Sequence, residues 1–265
     1  MSIYEHDCFI TPDKDAILWR YMDLNKFQSL LETKSLFFCR VDKFSDPFEG
    51  SLPKIEAEYR FEEHKRMDYE FDRKFNEELV IKNINGIGSL HQRLKKGTVV
   101  NCWHSNSNES DAMWQLYLKD NEGVAIQSSV DKIANVIRDI PEKIGISKVR
   151  YLNYETDRWY DRVKYPIHGY NLYIPLVHKR IEFEHEREVR LIYDVPDAVH
   201  DAEYWDRQPN GIGKFININI ETLIEKIILP PTIDSKAAFK IEQLVKSYGY
   251  NFKFEKSVLS KKPWF

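Results

Sequence analysis

The chain has 265 residues, enough for one large domain or two small ones. Its 39 lysines and arginines stand against 42 aspartates and glutamates, and the formal net charge of −3 gives no support for a protein that binds nucleic acid through its overall charge. Aromatic residues make up 14 %, which favours a densely packed core or a site that stacks a planar ligand.

The three cysteines, Cys8, Cys39 and Cys102, are far apart and include no Cys-x-x-Cys pair. They predict reduced thiols that bind no metal, and they fit a cytoplasmic setting. No apolar run approaches the roughly 20 residues that a membrane helix needs, and residues 1–10 hold no apolar segment typical of a signal peptide. We therefore expect a cytoplasmic protein without a membrane partner.

The first elements are a helix that begins after Asp23, a strand over residues 35–41 and a turn over residues 46–50. From about residue 54 to residue 96 the chain is strongly charged, and apolar residues recur at multiples of four. This pattern predicts one or two amphipathic helices, which the glycines of residues 85–88 interrupt. We interpret the segment as a peripheral helical insertion with a solvated outer face, although it could be a surface for a partner.

The second half alternates short strands and helices. Strands are predicted over residues 98–105, 124–127, 148–154, 215–220, 226–229 and 251–256. Helices are predicted after Asp111 and after Asp234 or Ser235, and residues 165–177 could form another. The irregular order of strands and helices indicates a single compact α+β domain over residues 1–265, with a mixed, mostly antiparallel sheet and surrounding helices.

The segment over residues 181–193 contains the most unusual charge pattern of the chain. As a strand, it would place Glu184, Glu186, Glu188 and Arg190 in one row on one face, with neighbours roughly 7 Å apart. A row of carboxylates in a cleft raises pKa values and can prepare one group for chemistry. A solvated strand face is the alternative, and a helix is possible at the start of the segment.

Several common catalytic motifs are absent from the sequence. It contains no Gly-x-Gly-x-x-Gly, no Walker loop, no His-Glu-x-x-His and no Gly-x-Ser-x-Gly. The eight histidines do not cluster at the spacing of metal ligands. These absences disfavour dinucleotide-binding Rossmann folds, P-loop enzymes, zincins and α/β-hydrolases, and we expect no metal site.

Several segments in order resemble a bacterial family catalogued as a domain of unknown function, number 2971. They are Asp-Pro-Phe-Glu-Gly at 46–50, Cys-Trp-His-Ser at 102–105, Met-Trp at 113–114, Gly-Val-Ala-Ile at 123–126, Glu-Arg-Glu-Val-Arg-Leu-Ile at 186–192 and Ile-Ile-Leu at 227–229. The resemblance covers roughly residues 17–250. The family name implies no activity.

A more distant resemblance implies chemistry. Mono-ADP-ribosyltransferases carry an arginine or histidine on an early strand, a Ser, Thr or Tyr on a central strand and a glutamate on a later strand, often as Glu-x-Glu. Arg20, Ser105 and Glu186-Arg187-Glu188 stand here in that order, although the usual Ser-Thr-Ser is Ser105-Asn106-Ser107. The resemblance implies that Glu188, Glu186 and Ser105 are catalytic, and that Arg20, Tyr21, His104 and Trp114 bind NAD.

Three functions remain open from the sequence. The first is an ADP-ribosyltransferase-like enzyme or an NAD glycohydrolase, which could act as a bacterial toxin or a phage-defence effector. Its acceptor would be a protein or a nucleic acid. The second is a non-catalytic module that binds a nucleotide or a partner. The third is a metal-dependent nuclease whose ligands are Glu184, Glu186 and Glu188 with Asp46. For the first, we expect Arg20, Ser105 and Glu188 to line one cleft with Glu186 at its rim.

The same residues also have structural interpretations. Arg20 could form a surface ion pair, and Ser105 could simply end a strand. Glu188 could pair with neighbours of Arg190 on a structural strand, and Trp114 could belong to the core.

Overall fold

The computed structural model describes residues 3–51, 53–118, 122–159, 173–201 and 203–264. The strands are β1 (Ile17–Asp23), β2 (Ser35–Arg40), β3 (Thr98–Ser105), β4 (Gly123–Ser129), β5 (Gly145–Lys148), β6 (Arg150–Leu152), β7 (His178–Arg180), β8 (Glu188–Asp194), β9 (Gly213–Asn217), β10 (Lys226–Leu229) and β11 (Phe254–Lys256). The helices are α1 (Leu24–Thr33), α2 (Lys54–Glu70), α3 (Glu77–Gly97), α4 (Asp111–Tyr117), α5 (Val130–Arg138), α6 (Pro196–His200), α7 (Ile220–Leu223) and α8 (Ser235–Ser247). Among the helices of these ranges, we find none with an apolar stretch long enough to cross a membrane.

Nine strands of the described chain form one sheet around β3. Seven of them follow the order β11-β10-β4-β1-β3-β2-β9, while β8 pairs with both β3 and β5. The pairs within this sheet are antiparallel except β10 with β11, which are parallel. A separate parallel pair joins β6 to β7. The predicted α+β fold with a mixed, mostly antiparallel sheet is confirmed.

The two faces of β3 alternate between the main core and a second layer, because successive side chains of a strand point to opposite faces. Val99 and Trp103 belong to the main core, which α1, α5 and α8 cover with residues such as Phe27, Ile133 and Ile241. On the opposite face, α4 covers a smaller cluster that contains Trp19, Tyr21, Met113, Trp114, Ala125 and Ile228. The candidate site lies on this second face.

Local side-chain chemistry fixes several helix starts. The carboxylates of Asp23 and Asp234 cap α1 and α8, as the sequence predicts. The prediction that Asp111 caps α4 is wrong by one residue, because the hydroxyl of Ser110 accepts the hydrogen bond from the backbone N–H of Met113. Asp111 lies instead in the first turn, where its charge is favourable near the positive end of the helix dipole.

The segment predicted as a helical insertion forms α2 and α3, outside the sheet. The predicted break over residues 85–88 is wrong, because Gly86 and Gly88 both lie within α3. The chain leaves the helical conformation after α2 instead, where Asp72 has a φ of 50°. Asn76 then starts α3 by accepting a hydrogen bond from the backbone N–H of Leu79. A good N-cap and a long helix outweigh the cost of two internal glycines.

The acidic segment is only partly a strand. Residues 188–194 form β8 as predicted, but Ile181–Glu186 form a 3-10 helix, and the single row of three carboxylates is therefore wrong. Arg187 joins the two parts with a φ of 42°, a left-handed conformation that ends the 3-10 helix. Glu184 consequently lies exposed, away from the buried Glu186 and Glu188.

Two other predicted elements differ from the structure. The strand predicted over residues 148–154 is split into β5 and β6, because β5 pairs with β8 whereas β6 pairs with β7. Of the helix predicted over residues 165–177, residues 165–172 lie outside the described residues, and Ile174–Leu176 form a 3-10 turn.

Replacing Gly86 or Gly88 by alanine is expected to stabilise the protein. A Cβ at either position meets no atom within 4 Å, and the removal of backbone freedom from the unfolded chain should raise the free energy of unfolding by about 0.5–1 kcal/mol each. The matched control is Gly97→Ala, whose Cβ would lie 2.4 Å from Cγ2 of Val199 and should destabilise. Urea unfolding measures all three variants, and a loss of stability in Gly86→Ala would contradict the assignment of α3.

Candidate active site

The middle of β3 lies where β1 and β2 separate. On the same edge of β3, Trp19 of β1 lies opposite His104, whereas Cys39 of β2 lies opposite Val100. Between these two pairings, the backbone of β3 runs past a gap in the sheet. A carbonyl in such a gap needs a hydrogen-bond donor from elsewhere, because an unpaired buried backbone group is costly.

Arg20 supplies that donor. One of its terminal nitrogens donates a hydrogen bond to the carbonyl of Cys102 in the gap. Burial lowers the pKa of Arg20, but an arginine remains charged because its ordinary pKa is far above neutrality. In the part of the chain that the structure describes, no carboxylate forms an ion pair with it. Its guanidinium is therefore a cation that is available to an anionic ligand.

A cavity of about 590 Å³ opens at this gap. It is lined by residues of β1, β2, β3, α1 and α4, by the turn near residue 46 and by the segment from residue 179 to residue 188. Its walls include the aromatic side chains of Trp19, Tyr21, Phe44 and Phe183. This size and this mixture of aromatic and polar groups are typical of a small-molecule site.

Arg190 anchors one wall of the cavity from behind. Its side chain is fully buried, and each of its three nitrogens has a partner. Nε donates to Glu188 over 2.8 Å, one terminal nitrogen donates to the carbonyl of Leu176 over 2.8 Å, and the other lies 3.0 Å from both oxygens of Glu49. Such complete pairing is what a buried guanidinium requires.

Lys179 joins the same carboxylates from another side. Its ammonium donates to Glu186 and lies 3.2 Å from Glu49 and 3.5 Å from Glu188. Burial acts to lower the pKa of Lys179, but the charges of Glu188 and Glu49 outweigh it and raise the pKa. Together with Arg190, the cluster holds two cations and three carboxylates, so that one proton makes it neutral.

Glu186 is the carboxyl group of this cluster that binds a proton most readily. Burial and the charge of Glu188 raise its pKa to about 7, although Lys179 opposes the rise. For Glu188, burial acts in the same direction, but the charges of Arg190 and Lys179 and a hydrogen bond from Glu186 lower the pKa below its ordinary value. Two neighbouring carboxyl groups with pKa values shifted in opposite directions are typical of an acid–base pair.

His104 lies beside this pair, directly opposite Glu188 in the pairing of β3 with β8. Its Nδ1 is 2.7 Å from the backbone carbonyl of Glu186, and a carbonyl can only accept, so Nδ1 carries the proton. Burial lowers the pKa of His104, which keeps the ring neutral and leaves Nε2 as an acceptor. That nitrogen is buried without a hydrogen-bond partner among the described residues.

The structure brings together most, but not all, of the residues proposed from the sequence. The cavity is lined by Arg20, Tyr21, His104, Glu186 and Glu188. Ser105 and Trp114 are not among the lining residues. Ser105 ends β3, and the alternation of the strand turns its side chain away from the face of His104. Trp114 packs in the layer behind Tyr21, with ring centroids 4.9 Å apart, and is only 2 % exposed.

The sequence interpretation gave no site role to Lys179 or Tyr117, and it left Glu49 as a turn residue that could order the edge of the site. Glu49 belongs to the Asp-Pro-Phe-Glu-Gly motif, one of the segments that carry the family resemblance. Its ion pair with Arg190 could not be predicted, because the two residues are 141 positions apart. Tyr117 lines the cavity, and the charges of Glu188 and Glu186 help burial to raise its pKa. In the sequence, it looks like an ordinary member of the apolar stripe of α4.

Comparisons with known proteins give no further information: no family model, no curated protein and no solved structure matches the chain. The resemblances to the family of unknown function and to ADP-ribosyltransferases therefore stay predictions from the sequence.

The proton of Glu186 predicts a pH-dependent stability. The pKa of Glu186 is higher in the folded protein than in the unfolded chain, so the free energy of unfolding should fall as the pH rises from about 4.5 to about 7. Glu188, whose pKa is lowered, titrates below this window. We expect Glu186→Gln to remove this part of the pH dependence in urea unfolding, whereas the exposed Glu184→Gln should keep it. An unchanged pH profile in Glu186→Gln would contradict the assigned proton.

Proposed function

We propose that the protein cleaves the bond between nicotinamide and ribose in NAD, and so acts as an ADP-ribosyltransferase-like enzyme or an NAD glycohydrolase. The observation that supports this most directly is Glu188 in the cavity wall, held by Arg190 beside Glu186, whose pKa is raised while that of Glu188 is lowered. Cleavage leaves the bonding electron pair on the nicotinamide nitrogen and creates positive charge on the ribose. A fixed carboxylate near that charge stabilises the transition state.

The surroundings of Glu188 suit this role. Arg190 holds one of its oxygens over 2.8 Å, the other lies 3.5 Å from Lys179, and the carboxylate also accepts a hydrogen bond from Glu186. A carboxylate has about four lone-pair sites, so Glu188 can still accept a hydrogen bond from a ribose hydroxyl. Because the carboxylate is already oriented before the substrate binds, little reorganisation is needed during the reaction.

Glu186 would complete the reaction as the general base. After nicotinamide leaves, water or an acceptor hydroxyl forms the new bond to the ribose carbon, and its proton must pass to a base. A carboxyl group with a pKa of about 7 can accept this proton near neutral pH. The proposal includes an acceptor that is a protein or a nucleic acid. It also includes a biological role as a bacterial toxin or as a phage-defence effector.

Arg20 and the aromatic walls would position the substrate. Arginine binds phosphate through two parallel hydrogen bonds, and Arg20 has no carboxylate partner in the described chain that would compete. Trp19, Tyr21 and Phe183 offer planar surfaces to the nicotinamide or adenine ring.

A non-catalytic nucleotide-binding module is the second candidate. The ion pairs of Glu186 with Lys179 and of Glu188 with Arg190 favour it, because a purely structural role of these carboxylates would leave the cavity to bind a ligand without catalysis. The metal-dependent nuclease finds no comparable support, because these carboxylates are already bound to cations and Glu184 lies exposed elsewhere. Asp46 is likewise held by Arg180 over 2.9 Å.

Glu188→Gln should reduce nicotinamide release from NAD by on the order of 10² to 10³, because it removes the charge that stabilises the transition state. The fold should persist, since Glu186 can ionise in its place and keep the buried cluster neutral. The matched control is Glu184→Gln, an exposed glutamate that should leave the rate unchanged. If wild-type protein releases no nicotinamide, or if Glu188→Gln retains the full rate, the enzymatic proposal fails and the binding module is favoured.

The pH dependence of the same reaction tests Glu186. Because a base must be unprotonated, the wild-type rate should rise as the pH passes through about 7, the pKa of Glu186. Glu186→Gln should be slower and should lose this rise. If Glu186→Gln keeps the wild-type pH profile, Glu186 is not the general base and another group accepts the proton.

A further inference from the structure

A second cation accompanies Arg20 in the cavity. Lys43, at the end of the 3-10 helix Val41–Lys43, is an exposed residue that lines the cavity together with Arg20 and Cys39. Burial raises the pKa of the Cys39 thiol, and the positive charges of Arg20 and Lys43 both oppose this rise. Arg20, Cys39 and Lys43 are therefore parts of one cavity lining, with Arg20 bound to the gap in the sheet and Lys43 four residues after Cys39.

Neither cation is neutralised by a carboxylate in the described ranges. The acid next to Lys43, Asp42, is instead bound by Arg40 through two hydrogen bonds of 2.9 and 2.7 Å. The carboxylates that line the cavity are likewise paired with other cations, including Asp46 with Arg180. This part of the cavity consequently presents two unpaired positive charges to a ligand.

The aromatic pair Phe37 and Phe215 also lines the cavity, and the two residues lie opposite each other in the pairing of β2 with β9. Their ring centroids are 5.0 Å apart, and Phe215 is 41 % exposed. An exposed aromatic face can stack a planar base, and this interaction does not depend on the identity of the base.

We propose that Arg20 and Lys43 form a subsite for two adjacent phosphate groups, so that the cavity takes the nucleoside diphosphate part of its ligand, with the base against Phe37 and Phe215. The inference deepens the proposed function, on which it rests for the choice of NAD, but it requires no cleavage. Arginine binds one phosphate through its planar guanidinium, and lysine contributes a compact point charge for the next. A single phosphate would leave one of the two charges unpaired.

Isothermal titration calorimetry with ADP, AMP and adenosine tests the subsite directly. We expect ADP to bind more tightly than AMP, and AMP more tightly than adenosine. Lys43→Gln should weaken ADP binding on the order of tenfold, the loss that follows from removing one charged hydrogen bond, while changing adenosine binding little. Lys43→Arg, which keeps the charge, should restore most of the ADP affinity.

Lys26 provides the matched control, because it lines the same cavity but pairs with Asp23 over 3.2 Å. Lys26→Gln should leave ADP binding nearly unchanged. The proposal is overturned if Lys43→Gln and Lys26→Gln have equal effects, if ADP binds no better than adenosine, or if wild-type protein binds no ADP. ADP binding without nicotinamide release from NAD would contradict the proposed enzymatic function and leave the phosphate subsite intact. Nicotinamide release together with unaltered ADP binding in Lys43→Gln would support the enzymatic function and overturn the phosphate subsite.

Discussion

The buried guanidinium of Arg190 is the interaction on which the site depends. Taking an arginine out of water costs several kcal/mol unless all its donors find partners. Arg190 meets this requirement by binding Glu188 on its own strand, Glu49 in a distant turn and the carbonyl of Leu176. The turn that contains Glu49 is thereby held to β8 and to the segment near Leu176, and residues of these segments form one wall of the cavity. The ionised state of Glu188 is a consequence of this arrangement, because the neighbouring positive charge stabilises the carboxylate.

The gap in the sheet provides the other half of the site. β3 pairs with β2 at its start and with β1 at its end, so its middle must be satisfied by a side chain. Arg20 does this with one nitrogen and leaves the rest of its guanidinium for other contacts. Arg20 thus satisfies the carbonyl of Cys102 and also places a positive charge in the cavity. Its structural role and a ligand-binding role do not compete, because they use different atoms.

Local patterns in the sequence predicted the elements that local chemistry determines. Asp23 caps α1 because its carboxylate reaches a backbone N–H three residues away, and the Val-Arg-Leu-Ile-Tyr run forms β8 because β-branched and aromatic residues fit a strand. The sequence also placed Arg20 and Glu188 near each other through a family resemblance. It could not identify Lys179 or the ion pair of Glu49 with Arg190, because both depend on contacts that only the folded topology creates. The sequence alone does not fix which face of β3 borders the cavity, and Ser105 is not among the lining residues.

The conformation of Arg187 explains why two glutamates only two positions apart differ in protonation. In a continuous strand, Glu186 and Glu188 would be equivalent neighbours on one face, roughly 7 Å apart. The left-handed φ of 42° at Arg187 instead turns Glu186 into the 3-10 helix and brings its carboxyl group within hydrogen-bond reach of Glu188. At that separation two negative charges repel each other, so the carboxyl group that is not paired with Arg190 has the higher pKa. An unfavourable backbone conformation of this kind costs on the order of 1–2 kcal/mol and persists only where surrounding contacts enforce it. Here the ion pairs of Glu186 with Lys179 and of Glu188 with Arg190 hold the residues on both sides of Arg187, and the local turn places two carboxyl groups of different pKa side by side.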